Sequence, residues 1–129
     1  MMRILASAVL LMLIFGCVSQ PSMTYSVSPC DRESGGSDSF SMSVSEGMAV
    51  IHQKESYVCC ANMTISMKPE GKTIRIYEEN VGEMCRCICP FVADIGITGI
   101  AGYDRLEVYG IKFKEVQDYE LMFNSSLPG

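Results

Sequence analysis

Five cysteines stand in two tight groups, the vicinal pair Cys59-Cys60 and the C-x-C-x-C run Cys85, Cys87 and Cys89. Their spacing limits the fold more than any other feature. On an extended strand, residues two apart project to the same face with Cα atoms roughly 7 Å apart, at or beyond the reach of an unstrained disulfide. The three cysteines of the run should therefore not bridge one another while the strand stays extended. Cys59 and Cys60 point to opposite faces, which disfavours a bridge between them as well. The remaining two cysteines, Cys17 and Cys30, lie upstream.

Cys17 has a separate explanation. Arg3 supplies a short positive region, and Ile4 to Phe15 is an uninterrupted apolar run of twelve that ends at Gly16-Cys17. A helix needs ~20 such residues to span a bilayer, so the run is too short for one. Ile14-Phe15-Gly16-Cys17 resembles the lipobox of a prokaryotic lipoprotein leader: an aliphatic residue, a variable one, a small one, then the cysteine that is lipidated. The resemblance covers about the first seventeen positions. It implies a signal peptide over 1–16, cleavage before Cys17, a lipid anchor on that thiol, and an extracytoplasmic domain attached to the membrane.

With Cys17 assigned to lipid, six cysteines remain: Cys30, Cys59, Cys60, Cys85, Cys87 and Cys89. Three in the run could each pair with one of the other three, which selects six of the fifteen connectivities open to six cysteines. Outside the cytoplasm such bridges persist, each worth roughly 2 to 4 kcal/mol. The alternative is a metal site, in which Cys85, Cys87 and Cys89 plus Cys59 or Cys60 offer four sulfur ligands to zinc or copper. Met63, Met67 or Met84 could then add thioether character for copper. A straight strand spreads its thiolates widely, whereas standard zinc sites use C-x(2 to 4)-C knuckles on turns.

Beyond the leader, residues 17–37 are rich in Ser, with Gly35-Gly36 and the prolines Pro21 and Pro29, and read as a tether after the lipidated cysteine. The folded domain is expected over 38–129. Phe40, Met42 and Val44 alternate strictly with serines, the period of a half-buried strand. Met48 to His52 is β-prone, and Ser56 to Met67 alternates over a longer stretch. Lys68-Pro69-Glu70-Gly71 reads as a type I turn, returning through Lys72 to Glu79 with Ile74 and Ile76 inward. A further strand is expected from Met84 to Cys89, bent or at an edge because of Pro90. Phe91 to Thr98 follows, then a turn over Gly99 to Gly102 and a final pair, Tyr103 to Tyr109 and Ile111 to Val116. Seven or eight short strands without a capped amphipathic helix predict an all-β chain, an antiparallel β-sandwich.

Ile97 to Tyr103, running into Leu106 and Val108, resembles the corner before a late strand in immunoglobulin-like and fibronectin-like domains. It departs from their pattern in the position of its tyrosine and in lacking a Cys-Trp-Cys framework. The resemblance implies a sandwich rather than a barrel and brings no binding or catalytic residue with it.

Without the first 16 residues, 113 of the 129 remain, with 9 basic against 15 acidic side chains. An acidic balance of this kind argues against a nucleic-acid partner. His52 is the one histidine, and it reads as a partly exposed strand residue rather than a base. No nucleophile, base and orienting group can be assembled, so the chain is not expected to be an enzyme. Glu78, Glu79 and Glu83 read as an acidic turn beside the cysteine run, open to a cation or to solvent. Asp94 reads as an outward or edge position. Asn62 and Asn124 each open an N-x-[ST] glycosylation triplet.

The mature chain is similar to small prokaryotic envelope lipoproteins with a C-x-C-x-C strand, a resemblance that implies no activity. Two functions follow. One is a non-catalytic binding or structural module without a cofactor, stapled by disulfides, engaging an envelope protein, peptide or glycan. The other is an extracytoplasmic metal-binding (Zn or Cu) or redox protein using Cys59, Cys60, Cys85, Cys87 and Cys89.

Overall fold

A computed structural model describes residues 20–31, 33 and 36–128. The lipobox and Cys17 lie outside the described residues. Among the described residues eight strands form: β1 (Ser22–Val27), β2 (Ser39–Ser45), β3 (Met48–Val58), β4 (Met63–Glu70), β5 (Thr73–Asn80), β6 (Ile88–Thr98), β7 (Arg105–Phe113) and β8 (Glu120–Ser126). They make two four-stranded sheets, ordered β1-β6-β3-β2 and β4-β5-β7-β8.

Period-two alternation builds the core. Ala49 and Ile51 of β3, Ile95 and Ile97 of β6, Ile74 and Ile76 of β5, and Leu106 and Val108 of β7 are all fully buried between the sheets. Each large aliphatic side chain so buried contributes roughly 1.5–3 kcal/mol. Phe40 stacks on Phe123 at 5.5 Å between centroids, joining β2 to β8 at one side of the sandwich. β1 and β4 approach each other at the opposite side. The β2–β3 hairpin turns at Glu46-Gly47, whose φ values of 51° and 75° suit the type I′ turn that matches strand twist.

The sandwich is as the patterning predicts, with differences in its parts. The segment read as a tether contains β1, paired with β6 from Ser22↔Thr98 to Val27↔Ala93, so the ordered domain begins before Asp38. Met23 and Val27 pack against the core there, which repays the ordering of an otherwise polar segment. The strand expected over Ser56 to Met67 is broken by a turn at Cys59-Cys60 into β3 and β4.

The type I turn at Lys68 to Gly71 is instead the end of β4 followed by a two-residue turn, Gly71-Lys72. Gly71 has φ 58° there, and Pro69 is tolerated because β4 is a sheet edge. Tyr103 to Val116 yields one strand, β7, rather than two, and it pairs with β8, which the sequence reading missed. Finally, β5 and β7 run parallel, so the second sheet departs from the all-antiparallel sheets of immunoglobulin-like domains.

Candidate functional site

The cysteines gather at one end of the sandwich. Cys30 follows β1, Cys59-Cys60 turn the chain from β3 to β4, Cys85 and Cys87 lie in the connection from β5 to β6, and Cys89 is in β6. Among the described residues three bridges form: Cys30–Cys89, Cys59–Cys87 and Cys60–Cys85, with Cα separations of 5.7, 5.3 and 6.3 Å. Each cysteine of the run thus pairs with one from outside it. The expected strand from Met84 to Cys89 does not form over its first part, because β6 starts at Ile88. Residues 84–87 instead run beside the Cys59-Cys60 turn, where the Cys59 amide donates to the Cys87 carbonyl at 2.9 Å.

Pro90 lies inside β6, beyond the last residue pair of β1. Its carbonyl accepts from the Asp31 amide at 3.2 Å, so the proline ring faces the side on which β1 has already ended. A central strand tolerates proline there because no ladder partner needs its missing N–H.

All five cysteines of the metal reading are in disulfides in this structure, and Cys30 is in the third bridge with Cys89. The Sγ atoms of Cys30, Cys59 and Cys89 nevertheless lie within 4.8 Å of one another. That trio shares Cys59 and Cys89 with the expected ligand set, and Cys30 replaces the others. Of the methionines, Met67 packs on the core, while Met84 is exposed and accepts from the Tyr57 hydroxyl at 3.6 Å. Val81 and Met84 in that connection and Ile88 at the start of β6 are exposed apolar side chains.

Asn80 holds that connection from below. It is fully buried at the end of β5; its Oδ1 accepts from the amides of Asn62 at 3.0 Å and Gly82 at 2.9 Å, and its Nδ2 donates to the Glu83 carbonyl at 3.0 Å. Gly82 is required beside it, since a Cβ there would sit 2.7 Å from the Asn62 nitrogen.

The acidic turn expected at Glu78, Glu79 and Glu83 is not one unit. Glu83 is exposed, but Glu78 continues the inward alternation of Ile74 and Ile76 and is completely buried. Across the sandwich it meets Gln53 of β3, whose Nε2 donates to Glu78 Oε2 at 2.9 Å and to Glu55 Oε2 at 3.0 Å. Burial pushes the Glu78 carboxyl up to about 7, against the lowering effect of the Gln53 hydrogen bond. Burial also raises Glu55, with Asp38 adding to the effect. Gln53, Glu55 and Asn80 were not singled out in the sequence. The available signal was their parity with neighbouring core residues.

His52 Nδ1 lies 2.6 Å from Oδ1 of Asp94, its partner directly opposite in β6, and both side chains are more than half exposed. Its bond is to a carboxylate rather than to a cysteine. Asn62 and Asn124 are both exposed, and Asn124 Oδ1 accepts from Arg105 at 3.3 Å. Among the described residues, no helix is long and apolar enough to cross a membrane. Comparison with protein-family models, curated proteins and solved structures finds no match to this chain.

Proposed function

We propose that the protein is a non-catalytic cell-envelope lipoprotein: a disulfide-stapled β-sandwich anchored through a lipid on Cys17, with a binding or structural role outside the cytoplasmic membrane. The observation that carries this reading is the pairing of Cys30, Cys59 and Cys60 with Cys89, Cys87 and Cys85. Bridges of this kind persist in oxidising compartments and are rare in a reducing cytosol. The proposed partner is an envelope protein, peptide or glycan, met by the exposed Val81, Met84 and Ile88 beside the disulfides. Two bridges and Asn80 hold the connection that carries Val81 and Met84 in one shape, which lowers the entropy lost on binding.

The test uses the full chain expressed in a bacterium that exports and acylates lipoproteins. The wild-type protein is expected in the membrane fraction, resistant to thiol alkylation until it is reduced, while Cys17→Ser is expected in the soluble fraction. Retention of Cys17→Ser in the membrane would contradict the anchor, and alkylation without reduction would contradict the staples.

A second reading, an envelope metal-binding (Zn or Cu) or redox protein, is favoured by one observation: the close approach of the Cys30, Cys59 and Cys89 sulfurs. Reduced, these would offer three thiolates to one soft or borderline ion. This reading predicts free thiols and a bound metal in the folded protein.

A further inference from the structure

The three bridges differ in access to solvent. Cys60 and Cys85 are both exposed, Cys59 and Cys87 are half-buried, and Cys30 is half-buried while its partner Cys89 is only 2 % exposed. The bridges therefore run in order from the surface of this end of the sandwich toward its core.

β6 lies between β1 and β3 in its sheet, and Cys89 stands close to its start. On one flank the chain leaving β1 carries Cys30, held where the Asp31 amide donates to the Pro90 carbonyl. On the other flank the chain leaving β3 carries Cys59, held where its own amide donates to the Cys87 carbonyl. Cys89 thus has a sulfur on each side, with all three Sγ atoms within 4.8 Å of one another. Among the described residues no other three cysteines converge in this way. Cys59 is bonded to Cys87, so its sulfur sits beside a bridge to which it does not belong.

A thiolate next to a disulfide attacks one of its sulfurs and expels the other. Here the fold holds attacker and target together, which makes the step intramolecular and raises its rate. Burial decides which sulfur leaves. The departing sulfur must carry negative charge, and an apolar surrounding disfavours a thiolate. Cys89 is buried, whereas Cys30 reaches solvent, so attack falls on Cys89 and Cys30 departs.

We infer that Cys59 is the relay thiol of an internal exchange, through which a dithiol reductant acting on the half-buried Cys59–Cys87 bridge opens the inner Cys30–Cys89 bridge. The inference rests on the three bridges of the proposed function. The dithiol attacks Cys87, forming a mixed disulfide and releasing Cys59 as a thiolate. Its second thiol then displaces Cys87, and the reductant leaves as a disulfide. The Cys59 thiolate attacks Cys89; a Cys59–Cys89 bond forms, the Cys30–Cys89 bond breaks, and the Cys30 thiolate takes a proton from water. Two bridges become one bridge and two thiols, balanced by oxidation of one dithiol. The exchange removes the covalent tie between β6 and the segment that follows β1, and leaves a solvated thiol on Cys30.

The test isolates the second step, using the acylated protein in non-ionic detergent. In Cys87→Ser, Cys59 is a free thiol without any reductant. After incubation at pH 8, acid quenching, thiol labelling of the denatured chain and peptide mapping, the label is expected on Cys30, together with a Cys59–Cys89 peptide and an unchanged Cys60–Cys85 bridge. Cys30→Ser enters the exchange from the other side: its Cys89 thiol should displace Cys87, giving the same Cys59–Cys89 peptide with the label on Cys87. Wild-type protein treated with limiting dithiothreitol provides a check that needs no variant to fold, and should yield Cys59–Cys89 with label on Cys30 and Cys87. Label confined to Cys59 in Cys87→Ser, or Cys59–Cys87 reduced in wild type at every dose without a Cys59–Cys89 peptide, would overturn the relay and leave the three bridges standing. New bridges spread over Cys60 and Cys85 as well would overturn it as undirected scrambling. Free thiols in untreated wild type other than Cys17 would remove the bridges and the relay together.

Discussion

Deleting Cys59–Cys87 and Cys60–Cys85 together should cost far more than the two separate deletions added. The bridges are nested, with sequence separations of 28 and 25 residues. While Cys59–Cys87 is intact, Cys60 and Cys85 remain joined by one residue step on one side and two on the other. Closing so short a path removes only about 1.6 kcal/mol of unfolded-chain entropy, against about 3.5 kcal/mol for a free 25-residue loop. Either single deletion should therefore cost about 1.6 kcal/mol and the double deletion about 5 kcal/mol, a coupling of about 2 kcal/mol.

Cys30–Cys89 behaves differently. With the other two bridges present, its shortest path runs 29 residues from Cys30 to Cys59 and two from Cys87 to Cys89. Its deletion alone should cost about 3.7 kcal/mol. The assay is urea unfolding of paired cysteine-to-alanine variants under non-reducing conditions, followed by tyrosine fluorescence and circular dichroism. Additive costs for the two nested bridges, or a Cys60–Cys85 deletion as damaging as Cys30–Cys89, would refute the chain-entropy reasoning.

Three further outcomes follow from the interior. The Glu78 carboxyl is raised from 4.5 to about 7 by burial, so the folded chain holds this proton more tightly than the unfolded one. Stability from this group is complete below about pH 4.5 and declines as pH rises through 7, by about 3 kcal/mol in all; Glu78→Gln should flatten that slope in urea titrations at pH 5 and 8 in chelator. Asn80→Ala, which leaves the Asn62 and Gly82 amides without their acceptor, should cost about 3 kcal/mol and speed hydrogen exchange at both, measured by NMR. Gly110→Ala must displace Glu78 or its carbonyl, 3.0 Å away, and should lower stability by about 1–3 kcal/mol in thermal unfolding.

Much of the sandwich is legible in the sequence because parity carries it. Phe40, Met42 and Val44 mark β2, and Ile74 and Ile76 mark the inward face of β5. The same parity extends to Glu78 and Asn80, yet hydropathy assigns a run of acids to solvent. Only the facing Gln53 and the room made by Gly110 allow a carboxyl group inside, and both are contributed by distant strands. Met23, Tyr25 and Val27 alternate too, but six residues among serines and prolines form a strand only because β6 offers a free edge. The break at Cys59-Cys60 escapes a periodicity argument because turning the chain there does not interrupt the apolar pattern of Met63, Ile65 and Met67. The cysteine pairing was narrowed by strand geometry to joining the two groups. Which partner each takes depended on how the 84–87 segment folds back.

The most direct test of the account is the mass of the protein purified natively from an exporting host, with thiol alkylation before and after reduction. Three bridges predict a mass six hydrogens lower than that of the reduced protein, no alkylation before reduction, six alkylated cysteines after it with Cys17 blocked by its lipid, and Cys30–Cys89, Cys59–Cys87 and Cys60–Cys85 in peptide mapping. Thiols that alkylate without reduction, accompanied by a metal adduct that disappears on denaturation, would contradict the disulfide-stapled module and make the cysteines a ligand site.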